Sequence, residues 1–490
     1  MAAPACMLSP RYRPEDGDCL LLLYQRPKAP CFPSDAIPAP VLHSLRPHPE
    51  RGGSWFVYRG PVRPGASIAA RASRLDAEGS DPVVEARKAV SALASDAKKE
   101  RFRRIVVPLS PESLHFLPAV QEGALLGGYS FDRYLKKKPR PPAAVFVVPP
   151  SQLAEARRQF SERALILEHV NLARDLLNEP PNAIRPESLA REFRKVGKAA
   201  GLRIAVWDAA RLERERCGGI LGVGRGASSG PHLVIAEYSP RAARGHLALV
   251  GKGVTFDSGG YGLKPADSQV GMKYDMAGAA AAFFAACAIA RLRVPLRVTV
   301  FAPLVENVIS PEAYLTTAIL RTRSGRTVEV RHTDAEGRII LADALALASE
   351  RKPDWIVDLA TLTGACVVAL GEDIAGVFGT SREFTRRFLE ASKREGERFW
   401  ELPLHKPYEE QLKTTIADCK NVGGRWGGSI LGAVFLKAWV PDGAKWLHLD
   451  IAGPGCKESG LDHVGKGGKG FGVKTLVSLA RDLAREARGA

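Results

Sequence analysis

From Leu202 onward the chain repeats one pattern: short, nearly unbroken apolar runs separated by stretches of helical periodicity. The runs are Leu202–Trp207, Leu233–Glu237, Leu247–Val250, Val298–Ala302, Trp355–Leu359 and Trp446–Leu449. A strand wetted on one face alternates apolar with polar residues, so strands apolar at nearly every position must be covered on both faces. Intervening helices supply that cover. The pattern predicts an α/β fold with a mixed, mostly parallel sheet flanked by helices. The uncharged stretch Met276–Ala290, rich in Ala and Gly, falls short of the roughly 20 residues a bilayer span needs and suits a helix packed tightly inside a protein. With 490 residues, 45% of them hydrophobic, the chain can fill a large core, which excludes a disordered or low-complexity protein.

The N-terminal third reads differently. Its first 80 residues are Pro-rich and irregular, with one possible strand at Leu20–Tyr24. Helical spacing from Val83 to Ala97 and apolar runs at Ile105–Val107 and Ala144–Val148 predict a smaller α/β unit. A helix from Ser151 to Leu177, stopped by Asn178-Glu179-Pro180-Pro181, then leads onward. The expected organisation is a smaller N-terminal α/β domain over 1–158 and a larger C-terminal domain over 159–490 that opens with this linker helix. Eight scattered cysteines, with no Cys-x-x-Cys pair, fit a reducing compartment. The N-terminus lacks an apolar run of signal type and gains acids at Glu15 and Asp16, so a cytoplasmic, non-membrane protein is the expectation. The net charge of +17 permits anionic partners without requiring them, and the densest basic run, Lys136–Arg140, reads first as solvated surface.

Two segments carry chemistry. Gly222-Val-Gly224-Arg-Gly226 approximates a dinucleotide loop, but a strand rather than a helix follows it, so a turn is expected there. The first informative segment runs from Val250 to Met276 and presents Lys252, Asp257, Lys264 and Asp275 on glycine-rich loops after a buried strand. The second, His332-Thr-Asp334-Ala-Glu336-Gly-Arg338, places Asp334 and Glu336 two residues apart, on one side if the backbone is extended. Any one of these carboxylates is more often a cap or a turn former. Four together repel unless a cation neutralises them. They have the oxygens for two divalent ions with shared bridging carboxylates, or they form a buried ion-pair network with Lys252, Lys264 and Arg338.

Together with Asp358-Leu-Ala-Thr361-Leu362-Thr-Gly364-Ala365, these segments resemble the signatures of the leucyl aminopeptidase family, the two-metal cytosolic aminopeptidases. Weaker resemblance runs through Glu122-Gly-Ala-Leu-Leu, Asn171–Asn182, Lys420–Gly424 and His448–Gly453, so that about residues 83–480 are covered. The resemblance implies a catalytic metallopeptidase domain over 159–490. It implies two divalent ions, Zn²⁺ and/or Mn²⁺, with Lys252 as an amine ligand, Asp257 and Glu336 bridging, Asp275 in the tighter site and Asp334 in the more exchangeable one. An amine ligand is deprotonated, so an adjacent dication must drive Lys252 well below the free value of about 10.4. By the same resemblance Lys264 polarises the scissile carbonyl, Arg338 holds a bicarbonate that acts as base, and Met272, Thr361, Leu362 and Gly364 line a pocket for leucine-like side chains. His332 stands where the family carries asparagine, near the pocket for the residue after the cleaved bond. A homohexamer is implied as well. Two alternatives stay open: a DNA-binding or scaffold role on the same fold, and a dipeptidase for Cys-Gly-type substrates.

Overall fold

A computed structural model describes residues 6–24, 37–41, 54–63, 66–75, 81–100, 102–136, 138, 141–456 and 463–486. The chain divides into two compact units, Met1–Glu168 with Ser459–Lys466, and His169–Glu458 with Gly467–Ala490.

The first unit is built on a six-stranded sheet. Its strands are β1 (Cys6–Ser9), β2 (Asp18–Tyr24), β3 (Ser54–Arg63), β4 (Ala66–Arg74), β5 (Arg104–Pro108) and β6 (Ala143–Val147), in the order β1-β6-β5-β2-β4-β3. All pairs are parallel except the β3–β4 hairpin. Leu20 to Leu23 are fully buried, as a strand in the middle of a covered sheet requires. The Leu20–Tyr24 expectation therefore holds, but β1, β3 and β4 escaped it. The hairpin slips register between Phe56 and Tyr58 and again between Pro61 and Arg63, and such bulges erase the two-residue period that marks a strand. Of the basic run, Lys136 and Lys138 are exposed, and Lys137, Pro139 and Arg140 lie outside the described residues.

The second unit carries a nine-stranded mixed sheet. In chain order its strands are β7 (Arg203–Trp207), β8 (His232–Tyr238), β9 (His246–Gly251), β10 (Gly253–Asp257), β11 (Arg297–Asn307), then, after two short strands of a separate sheet, β12 (Ile319–Arg321) and β13 (Thr327–Glu329), β14 (Trp355–Ala360), β15 (Ala375–Gly379) and β16 (Phe399–Glu401). Strand β17 (Cys419–Lys420) completes the small sheet with β12 and β13, and β18 (Trp446–Asp450) returns to the large one. The large sheet runs β16-β15-β18-β14-β9-β11-β8-β7, with β10 paired on β11. Its centre, β18-β14-β9-β11, is parallel, and antiparallel pairs flank it at β15–β18, β11–β8 and β8–β7. Every residue of β9 and β18 is buried.

The helix Ala277–Arg291 is buried from Ala277 to Ala290 in this core. Segment 266–291 is long and apolar enough to cross a membrane, yet 89% of its apolar window is buried inside the protein. The contact is close enough to dictate glycine at 278, where a Cβ would lie 2.1 Å from the Leu359 carbonyl oxygen. One part of the sequence reading is corrected: Gly222 and Gly224 belong to a short helix, Gly218–Gly224, not to a turn. Packing explains them, since a Cβ at 222 would meet the Leu320 side chain at 2.6 Å.

Parallel strands that all run one way deliver their C-terminal ends to one edge of the sheet, where ligands gather in open α/β folds. Here β9 runs out into Lys252, β10 ends at Asp257, β11 at Asn307, β14 leads to Thr361 and β18 ends at Asp450.

Candidate metal centre

Lys252 is placed by backbone on both sides: its N–H donates to Leu359 O (2.9 Å) and its carbonyl accepts from Ala279 N (2.8 Å). Its side chain then crosses Gly337, where a Cβ would lie 2.5 Å from Lys252 Cε and 2.8 Å from Nζ. The amine ends 2.8 Å from both Asp275 Oδ1 and Glu336 Oε1 and donates to Thr361 O at 2.9 Å. A second lysine repeats the motif: Lys264 Nζ lies 2.9 Å from Asp257 Oδ2 and also contacts Asp334 Oδ1. Ligand oxygens of Asp257, Asp334 and Glu336 fall within 4.8 Å of one another. Both long-separated segments therefore converge on one cluster.

The local route to that cluster differs from the extended backbone expected at 334–336. Asp334 lies in a turn and Glu336 is the first residue of the helix Glu336–Glu350. The turn, not strand alternation, turns both carboxylates inward. Two buried amides hold the loops. Asn421 accepts from Arg331 N (2.8 Å) and His332 N (3.3 Å) and donates to His332 O (2.7 Å). Asn307 donates to Asp257 Oδ1 (2.8 Å) and Thr333 O (3.0 Å).

Four carboxylates face two lysine ammonium groups, and the electrostatics register the surplus of negative charge. Burial, with the Asp257 charge behind it, pushes the Glu336 carboxyl up to about 8. Burial raises Asp275 to about 6 against the pull of Lys252, and Asp334 shifts the same way. Burial alone would depress Lys252, but Asp275, Glu336 and Asp257 outweigh it and hold the amine well above the ordinary lysine range. Lys264 is raised by the same balance, with Asp257 its strongest charge partner. Asp275 Oδ2 and Glu336 Oε2 are buried with no hydrogen-bond donor. Such orphaned buried oxygens cost about 1–3 kcal/mol each, a cost that a bound cation removes. Oxygens with one nitrogen and no thiolate suit Zn²⁺, Mn²⁺, Co²⁺ or Mg²⁺. The residues fit a divalent metal.

The proton on Lys252 makes that fit pH-dependent. An ion that takes the amine as ligand displaces its proton, so apparent affinity should rise about tenfold per pH unit, more steeply where Glu336 and Asp275 also carry protons. Calorimetric Mn²⁺ titration of chelator-stripped protein between about pH 6 and 9 measures this. An affinity flat across that range would exclude amine ligation.

A cavity of about 720 Å³ opens over the cluster, and Arg338, His332, Met272, Thr361, Leu362 and Gly364 all line it. Arg338 is buried; its Nη1 donates to Asn421 O (2.7 Å), its Nε is unpartnered, and burial lowers its guanidinium to about 10. The Thr361 hydroxyl is committed to Asp275 Oδ1 (2.7 Å). His332 accepts Asp334 N–H at Nδ1 (3.1 Å), so its neutral ring carries the proton on Nε2. Asp450, which sequence reasoning passed over within His448–Gly453, accepts from Leu362 N (3.2 Å) and Thr363 Oγ1 (2.6 Å) and so sets the wall carrying Leu362 and Gly364. Asn421 lay unremarked within Lys420–Gly424, and the signal for Asn307 was a polar residue closing an apolar strand.

Known proteins place this geometry in a family. The model of the cytosol aminopeptidase family, catalytic domain, matches residues 171–477. The "Probable cytosol aminopeptidase" of Syntrophotalea carbinolica is 44% identical over 395 residues, 78% of this chain and 79% of that protein. Its namesake from Streptomyces avermitilis is 45% identical over 369 residues, 74% and 72% of the two chains. Among solved structures, the bottromycin maturation enzyme BotP superposes with a TM-score of 0.83 at 35% identity, covering 96% of this chain and all of that one, and BotP in complex with Mn gives 0.83 at 34%, covering 96% and 99%. On a match spanning well over half its length, with a lysine–carboxylate cluster of metal-ligand type at its heart, the chain belongs to the cytosol aminopeptidase family and is a metal-dependent aminopeptidase.

Proposed function

We propose that this chain is a cytoplasmic aminopeptidase that removes leucine-like residues from peptide N-termini with two divalent ions, Zn²⁺ and/or Mn²⁺. Residues 159–490 form its catalytic domain, 1–158 its N-terminal domain, and six copies assemble as a homohexamer. The observation that carries the two-ion reading is the doubled motif: Lys252 bridges Asp275 to Glu336, and Lys264 bridges Asp257 to Asp334, on one shared floor. Lys252, Asp257, Asp275, Asp334 and Glu336 are the ligand set. When bound, the ions supply Lewis acidity to the substrate carbonyl and acidify the attacking water.

The chain's own residues do the rest. Lys264 keeps its proton and offers positive charge at the cavity, where it stabilises the carbonyl oxygen as negative charge builds. Arg338, a buried guanidinium with an unpartnered Nε, holds a small anion, and bicarbonate there would act as base. Met272 and Leu362 give the pocket apolar walls, Thr361 closes part of it, and Gly364 leaves room, since nothing lies within 4 Å of a Cβ built there. His332 lines the cavity, its ring held by the Asp334 N–H, and stands beside the residue that follows the cleaved bond.

The test is a panel of leucyl amides and dipeptides, Cys-Gly included, with chelator and with Mn²⁺ or Zn²⁺ added back. Leucyl amide hydrolysis that chelator abolishes and either ion restores is the expected result, and His332→Asn should alter preference at the second residue only. Activity confined to Cys-Gly would make this a dipeptidase, and chelator-resistant hydrolysis would end the metal reading.

A further inference from the structure

Asn307 closes β11 opposite Asp257, its register partner on β10. It is fully buried, and its two amide hydrogens go to different loops, one to Asp257 Oδ1 (2.8 Å) and one to the Thr333 carbonyl (3.0 Å). Its own carbonyl accepts from Ser258 N (2.9 Å) and Ser258 Oγ (2.8 Å). Its side-chain Oδ1, in contrast, is buried without a donor. Swapping the amide's two ends would set that oxygen against a carboxylate and a carbonyl, so the orientation is fixed by its acceptors. An unsatisfied buried acceptor costs about 1–3 kcal/mol, which an apolar residue of similar shape would avoid. The amide is kept for its donors.

Those donors act on the two segments that carry the cluster. The Thr333 loop is fastened to the 257–262 loop by Thr333 Oγ1, which donates to Gly259 O (2.7 Å) and accepts from Gly262 N (2.7 Å), and Tyr314 adds a second donor to Thr333 O (2.6 Å). Asn307 alone among these groups also reaches a carboxylate of the cluster. Together with the Gly259 N–H, which donates to the same oxygen at 2.9 Å, it occupies Asp257 Oδ1 and leaves Oδ2 facing Lys264 and the cavity. We propose that Asn307 is a positioning residue that, with the Gly259 N–H, selects which Asp257 oxygen faces the metal centre and by itself fixes the spacing between Asp257 and the Asp334–Glu336 turn. The inference rests on the two-ion reading above. Because Asp257 is a ligand shared by the two ion sites in that reading, Asn307 acts on both, whereas Thr361 braces only Asp275, assigned to one of them.

The experiment is calorimetric Mn²⁺ titration of the chelator-stripped full-length chain. The parent should show two binding events. Asn307→Leu should weaken both about 10–100-fold, while the thermal midpoint of the stripped protein holds or rises; Asn307→Ala, which cannot clash, carries the same expectation for binding. Tyr314→Phe removes the other bond to Thr333 O but touches no carboxylate, and should leave both events intact. Unchanged binding in both Asn307 variants, or an equal loss in Tyr314→Phe, overturns the positioning role. A single event in the parent refutes the two-ion reading instead, and the Asn307 comparison is then read on that event.

Discussion

Glu336→Gln is expected to lower kcat/KM on a leucyl amide by about 10³-fold, several kcal/mol of lost transition-state stabilisation. Glu336 faces Lys252 through one oxygen and presents the other, unpartnered, to the cluster, so its charge serves both halves of the site. The same change should make the chelator-stripped protein more stable, by on the order of 1 kcal/mol. A carboxyl held at about 8 when folded, well above its unfolded value, keeps its proton longer in the native state. Stability of the stripped parent therefore falls as pH rises from about 4.5 to about 8, and the glutamine variant should flatten that slope. Urea midpoints with chelator present, set beside activity with Mn²⁺, test both halves. A variant within tenfold of the parent, or one less stable than the parent when stripped, would contradict this account.

Lys264→Met should reduce kcat by about 10²–10³-fold, the usual cost of removing one preorganised charge from a developing oxyanion, with KM changed little. The lysine is half-buried and keeps its positive charge through Asp257 and Asp334. Unlike Glu336, it is no ligand in this reading, so the variant should retain both ions. Measuring metal content with kcat separates the outcomes. If activity falls only in step with lost metal, Lys264 belongs to the cage; if kcat drops less than tenfold with metal retained, it does not act on the carbonyl.

The central fold was legible because strands covered on both faces carry nearly continuous apolar runs, as β9, β14 and β18 do. The β3–β4 hairpin was not, because its two register shifts break the only periodicity a strand offers. The charged members of the site were legible as dense charge on glycine-rich loops, and the resemblance supplied their expected roles. What escaped was the supporting scaffold. Asn307, Asn421 and Asp450 act through backbone groups and single donors that become neighbours only once distant segments meet, and no local pattern records such meetings. The Asp334–Glu336 pair was read for the right grouping through the wrong geometry, since a turn and a helix start do the work assigned to an extended strand.

Gly337 holds no charge and touches no substrate, yet Lys252 runs across it within 2.5 Å of where a side chain would begin. One methyl group there has nowhere to go except into the lysine stem, lifting its amine off Asp275 and Glu336. A descendant of such a chain could thus keep every acid and base of the cluster and still fall silent. Sorting active from inert copies by counting charged residues would miss that event; the diagnostic letter sits at an uncharged neighbour.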